Sequence, residues 1–181
     1  MCLKADNNVQ TLNVSRNSIA SDLKMFKMLA KFLNCNKILL DLNLSFCGIK
    51  AKAAELLGKG IRGNTTLQAL NLKGNEIKKG IVDLARPFLE FKKPLSIRDL
   101  DLSKCHIESE HVTSEVLQMI ANPHCTLKVL SLRDNFIKQQ TAEHISESMK
   151  NNRSIVKLAL DYNPIKQNLC KQIDTYCKRN L

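Results

Sequence analysis

The sequence has no tryptophan, two tyrosines and six phenylalanines in 181 residues. Proteins that bind nucleic acid strands combine a basic groove with stacking aromatic rings, and so few rings argue against specific nucleic-acid binding. Six glycines and four prolines exclude collagen-like and proline-rich linker classes. No apolar run approaches the roughly 20 residues that a membrane-spanning helix needs, so no transmembrane segment is expected. Lys4, Asp6, Asn7 and Asn8 interrupt the stretch from Met1 to Ile19, which leaves no apolar region of the kind a secretory leader carries. Seven cysteines make an odd number, and no C-x-x-C occurs. Neither a disulfide framework nor a zinc ribbon is expected, and a reducing, cytoplasmic compartment fits best. Acids are scarce, 17 against 28 lysines and arginines, giving a net charge of +11. What remains is ordinary globular composition, 44% apolar and 25% charged, over a length suited to one domain spanning residues 1–181.

The sequence repeats itself from end to end. The segments VQTLNVSRNSI, LLDLNLSFCGI, LQALNLKGNEI, IRDLDLSKCHI, LKVLSLRDNFI and IVKLALDYNPI occupy residues 9–19, 39–49, 67–77, 97–107, 127–137 and 155–165. Each has an aliphatic residue first, Leu fourth, Leu or Val sixth, Asn or Cys ninth and Ile eleventh. The centre of each segment alternates inward and outward residues, the period of a short strand with one buried face. Leu70 and Leu72 are expected to point in, and Ala69, Asn71 and Lys73 out. After each closing Ile the spacing turns helical, as in Ala53, Leu57 and Ile61, in Ile145 and Met149, or in Leu169, Ile173 and Cys177. A strand plus a helix cannot bury either apolar face alone, so successive units must stack, with a parallel sheet on one side and helices on the other. The fold class is therefore an α/β solenoid of six repeats, with residues 166–181 as a C-terminal capping helix. Pro87 and Pro94 should shorten the helix before the fourth strand. Phe32 and Phe88 stand at core spacing.

These segments resemble the leucine-rich repeat family, L-x-x-L-x-L-x-x-N/C-x-L, and the period of the units looks like its ribonuclease-inhibitor-like class. The resemblance implies a right-handed horseshoe with the sheet on the concave face and the helices on the convex face. It also implies that the ninth side chain, Asn17, Cys47, Asn75, Cys105, Asn135 or Asn163, bonds backbone groups in the turn beneath the strand. The class hosts inhibitors, actin cappers, GTPase activators, immune sensors and ciliary scaffolds, so fold alone does not select a function.

The outward strand positions hold four acids, Asp41, Asp99, Asp101 and Asp161, against three bases, Lys73, Arg133 and Lys157, interspersed with Asn43 and Asn71. This preformed row is the expected partner-binding surface for a protein. The basic excess falls instead on helices and loops, among them Lys24, Lys27, Lys31, Lys50, Lys52, Lys59, Arg62, Lys78, Lys79, Lys92, Lys93, Lys171, Lys178 and Arg179. A solvated convex face explains it, and contact with an acidic surface is the functional alternative.

Cys105, His106, His111, His124 and Cys125 carry metal-binding chemistry, but their spacing forms no paired ligand knuckles, so no metal is expected. Asp99 and Asp101 face the same way on one strand. A smooth row of Ser, Asn and Ala around them offers no pocket to split their pKa values, which favours recognition of Lys or Arg over acid–base catalysis. No phosphate loop, H-E-x-x-H or G-x-S-x-G is present, and no cofactor is expected. The expected function is thus a non-enzymatic protein-recognition or scaffold module, cytoplasmic and cytoskeletal or ciliary. The alternatives are GTPase regulation, since the repeats resemble those of the Ran GTPase activator and Arg16 and Arg133 stand near strand ends, and a structural part of a cilium, flagellum or cytoskeletal assembly. Met1, Leu3 and Asn8 align with the tail of a preceding repeat's helix, so the N-terminal edge is expected to be covered by further repeats or by a partner.

Overall fold

The computed structural model describes residues 8–19, 22–90 and 95–181. Six three-residue strands, β1 (Thr11–Asn13), β2 (Asp41–Asn43), β3 (Ala69–Asn71), β4 (Asp99–Asp101), β5 (Val129–Ser131) and β6 (Lys157–Ala159), form one open parallel sheet in chain order. Each falls at places three to five of its segment. The register aligns equivalent places throughout, so Leu12, Leu42, Leu70, Leu100, Leu130 and Leu158 stand in one row behind the sheet.

The return path of each unit is helical: α1 (Leu23–Cys35), α2 (Ala51–Ile61), α3 (Ile81–Ala85), α4 (Ser114–Ala121), α5 (Gln139–Met149) and α6 (Gln167–Arg179). Consecutive helices pack side by side. The stacked Leu, Ile and Val residues form one continuous core that takes in Ala53, Leu57 and Ile61, Ile145 and Met149, and Leu169, Ile173 and Cys177, as their spacing requires. Asp22 caps α1 through Lys24 N at 2.8 Å.

The third unit is irregular. Its helix is cut to five residues between the 3₁₀ turns Lys78–Gly80 and Arg86–Leu89, with Pro87 opening the second turn, where its missing N–H costs nothing. Pro94, Lys92 and Lys93 lie outside the described residues, as do Met1 and Leu3. Gly58 lets α2 approach this unit, because a Cβ there would stand 2.3 Å from the Asp83 carbonyl oxygen.

Two sequence expectations change. Phe88 is core, but Phe32 is 38% exposed; Phe26 and Leu33 take the inward face of α1, and Phe32 sits about 100° around the helix from Leu33. Cys35 is disulfide-bonded, whereas Cys47, Cys105, Cys125, Cys170 and Cys177 are free. At the C-terminal end α6 turns Asn168, Lys171, Gln172, Thr175 and Lys178 outward. Arg179 reaches back to the carbonyls of Met149 (3.2 Å) and Asn152 (2.8 Å), which ties this polar helix onto the preceding unit.

Candidate protein-recognition face

The ninth-place residues explain why the turns repeat so faithfully. Asn75 Oδ1 accepts from Cys47 N (3.0 Å) and Ile49 N (2.9 Å), while its Nδ2 donates to Leu44 O (3.0 Å) and Leu72 O (2.6 Å). Asn135 makes the same contacts one pair of units later, to Cys105 N, Ile107 N, Leu102 O and Leu132 O. Asn163 holds Ile137 N, Leu132 O and Leu160 O. Each Asn therefore bolts its own turn to that of the unit before it. Among the described residues Asn17 bonds within its own turn, to Val14 O and Ser15 O. Cys47 and Cys105 donate their thiols across to the preceding unit, to Val14 O at 3.2 Å and Leu72 O at 3.3 Å. Both are fully buried, and burial pushes the Cys105 thiol up to about 12, which keeps it protonated and inert.

A second asparagine ladder, not anticipated from the sequence, secures the entry to the strands. Asn36, Asn64 and Asn152 stand three places before the first aliphatic residue of their segments. Each accepts from two backbone N–H groups there, as Asn152 does from Ser154 N (2.8 Å) and Ile155 N (2.7 Å). Asn64 also donates to Leu33 O, and Asn152 to Ile120 O. The recurring Asn at that offset was the available signal. In the fifth unit the role passes to Asn122, which accepts from His124 N and donates to Phe88 O.

On the outer face of the sheet an open trough of about 500 Å³ is lined by Asp41, Asn43, Asn71, Lys73, Asp99, Asp101, Arg133 and Lys157, together with smaller residues of the same row. Asp161 is not on its lining; it sits at the rim, paired with Arg133 Nε at 3.0 Å. The lining divides by duty. Asn43 and Asn71 turn Oδ1 back to the N–H two residues on (both 3.0 Å), and Asp101 does so to Ser103 N (2.9 Å) and Ser103 Oγ (2.6 Å), closing the strand ends as Asx turns. Among the described residues, the side chains of Asp41, Lys73, Asp99 and Lys157 make no internal hydrogen bond or ion pair. They are the groups free to meet a partner.

Histidine and basic residues singled out from the sequence are dispersed. His106 lies edge-on to Phe136, His111 Nδ1 accepts from Glu108 N, and Cys105 is enclosed in its turn. Among the described residues no group of three potential metal ligands forms. A small part of the helical basic charge is internally matched: Lys52 and Lys59 both grip Glu55 at 2.7 Å, and Arg62 reaches Glu90 at 2.6 Å. No described helix is long and apolar enough to cross a membrane.

This geometry of short parallel strands, Asn/Cys turn bolts and outer helices agrees with a match of the Leucine Rich repeat family model to residues 35–58 and 63–82. The match covers two of the six units, and the chain folds as a leucine-rich repeat solenoid. Its ribonuclease-inhibitor-like period is compatible with that assignment. Similar solved folds include "Leiomodin-1 Actin-Binding Site 2 (ABS2)", at 15% identity and a TM-score of 0.61, covering 97% of this chain and 82% of that one. Another is a Caenorhabditis elegans tropomodulin C-terminal domain, at 13% identity and a TM-score of 0.59, covering 97% and 86%. At these identities the likeness is one of fold. Leucine-rich repeat folds of this kind are typical of non-enzymatic protein-interaction modules.

Proposed function

We propose that the chain is a non-enzymatic recognition module of a cytoskeletal assembly, and that it binds a protein partner across the strand face. The supporting observation is the division of labour in the trough. Asp41, Asp99 and Lys157 project from strands of one sheet and Lys73 from the turn that follows β3, none with an internal partner among the described residues, so their charges are pre-organised for complementarity with a partner. The cytoskeletal part of the reading draws on the two structural neighbours, one of them named for an actin-binding site, and actin filaments are the first partner to test. A cytoplasmic location goes with this proposal, and the Cys35 disulfide then has to form or persist against a reducing environment.

Co-sedimentation with actin filaments tests the partner, and the double variant Asp99→Lys with Lys157→Glu tests the face. The expected result is saturable pelleting of the wild-type protein and loss of pelleting in the variant at unchanged melting temperature. Absence of wild-type pelleting at tens of micromolar protein would reject actin.

A further inference from the structure

The eighth place of all six segments adopts a left-handed backbone: Arg16 (φ 59°), Phe46 (55°), Gly74 (72°), Lys104 (55°), Asp134 (55°) and Tyr162 (59°). Glycine suits such a place and bulky side chains do not, so a large ring held there is a local conflict that folding does not need. Yet Phe46 is 40% exposed and Tyr162 78% exposed, and Phe136, two places further along its own turn, is 55% exposed. Three of the chain's few aromatic rings therefore stand in water along one rim, where the strands turn into the helices.

Each ring carries a cationic or ionisable neighbour. The Arg16 guanidinium lies 5.1 Å from the Phe46 ring centre, that of Arg133 lies 5.8 Å from Tyr162, and the His106 ring meets Phe136 edge-on at 6.0 Å. The eighth and twelfth places along this rim bear Arg16, Lys50, Lys78, Lys104, Lys138 and Lys166, all exposed. Facing them are Glu76, Glu108, Asp134 and Asp161, of which Asp134 is taken by Lys104 and Asp161 by Arg133, both at 3.0 Å. The rim is thus basic and aromatic, while the neighbouring strand floor balances Asp41, Asp99 and Asp101 against Lys73, Arg133 and Lys157. Phe46 lays its ring against Gly74, where a Cβ would stand 2.3 Å from it, yet the ring stays 40% exposed, and Tyr162 is mostly solvated.

We infer that this rim binds an extended acidic polypeptide segment whose apolar side chains seat on Phe46, Phe136 and Tyr162 while its carboxylates meet the flanking lysines and Arg16. Six parallel strands at about 4.8 Å spacing give a rim of about 24 Å, which an extended chain crosses in roughly seven residues. This goes beyond the strand-face reading and uses different residues, so either can fail alone.

The probe is a fluorescein-labelled peptide of repeated Glu-Glu-Leu-Pro, in which proline keeps the chain extended. The comparison peptides are Glu-Glu-Ser-Pro and Lys-Lys-Leu-Pro repeats, and phosphatidylserine vesicles form a separate arm. The variants are Phe46→Gly with Tyr162→Gly, Tyr162→Gly alone in case the pair fails to fold, Lys50→Glu with Lys138→Glu, and the strand-face pair Asp99→Lys with Lys157→Glu. The expected result is binding of the Glu-Glu-Leu-Pro peptide that weakens about tenfold or more in the ring and lysine variants but not in the strand-face variant. The melting temperature of Tyr162→Gly should be unchanged or raised, because glycine relieves the left-handed backbone. Equal affinity for the serine peptide, affinity unaffected by loss of the rings, or binding to vesicles without binding to the peptide would each overturn the inference.

Discussion

Within one eleven-residue segment, the ninth place and the third place follow different rules. The ninth is Asn or Cys in every unit, and Cys47, Asn75, Cys105 and Asn135 are buried against backbone. The third is Thr11, Asp41, Ala69, Asp99, Val129 and Lys157, with no shared chemistry. The turn has to satisfy the same backbone N–H and C=O groups in every unit, which only a few side chains can do, whereas the strand face meets nothing inside the molecule. The fifth place lies between these extremes. Asn13, Asn43, Asn71 and Asp101 are all used to close a turn, although all four face outward. Outward orientation is therefore a poor guide to which residues are free for binding.

Mutations along this gradient should have graded effects. Asn135→Ala should be the most damaging, because it strands Cys105 N, Ile107 N and two or more carbonyls in the core. A loss of about 3 kcal/mol in denaturant unfolding is expected, and a loss under about 0.5 kcal/mol would mean that the ladder is ornamental. Cys105→Leu should cost about 1–3 kcal/mol by overpacking a filled turn. In the native protein a thiol reagent should label half-exposed Cys170 well before Cys105, whose burial holds it protonated; rapid labelling of Cys105 would contradict its place in the ladder. Asp101→Ala should cost about 1 kcal/mol through its Asx turn, whereas Asp99→Ala should stay within about 0.5 kcal/mol, although both residues face the same trough. Equal costs would erase the distinction between closing and free residues.

The smallest effect concerns the outer helices. Hydrogen bonds from Lys52 and then Lys59 lower the Glu55 carboxyl to about 2, below its ordinary value. Because the folded value is depressed, the clamp contributes above the ordinary carboxylate range and is lost as pH falls through about 2. Its contribution is exposed and screened, so acid unfolding of a Glu55→Gln variant should differ from wild type only slightly, and less so in high salt.

The strands were readable because each combines a period of two with an unvarying Leu, and the helices because Ala53, Leu57 and Ile61, or Ile145 and Met149, keep one face. The shortened third helix was readable from Pro87. The left-handed eighth place was hidden because only Gly74 advertises it, and the other five residues accept that backbone through the geometry of the turn. Phe32 misled because a hydrophobic residue at helical spacing signals a face, not which helix covers it. The candidate strand face was legible as a surface, but its division into Asx-turn residues and free residues was not, since Asn43 and Asp99 look alike until hydrogen bonds are assigned.

Cross-linking mass spectrometry in native extract tests the central claim most directly, because lysines sample both sides of the molecule. Lys73 and Lys157 lie on the strand face, and Lys24, Lys59 and Lys171 on the helices. The account predicts that links to a common partner concentrate at Lys73 and Lys157 and vanish in the Asp99→Lys, Lys157→Glu variant at its one remaining strand-face lysine of the original pair, Lys73. Links confined to Lys24, Lys59 and Lys171, and unaffected by that variant, would contradict it.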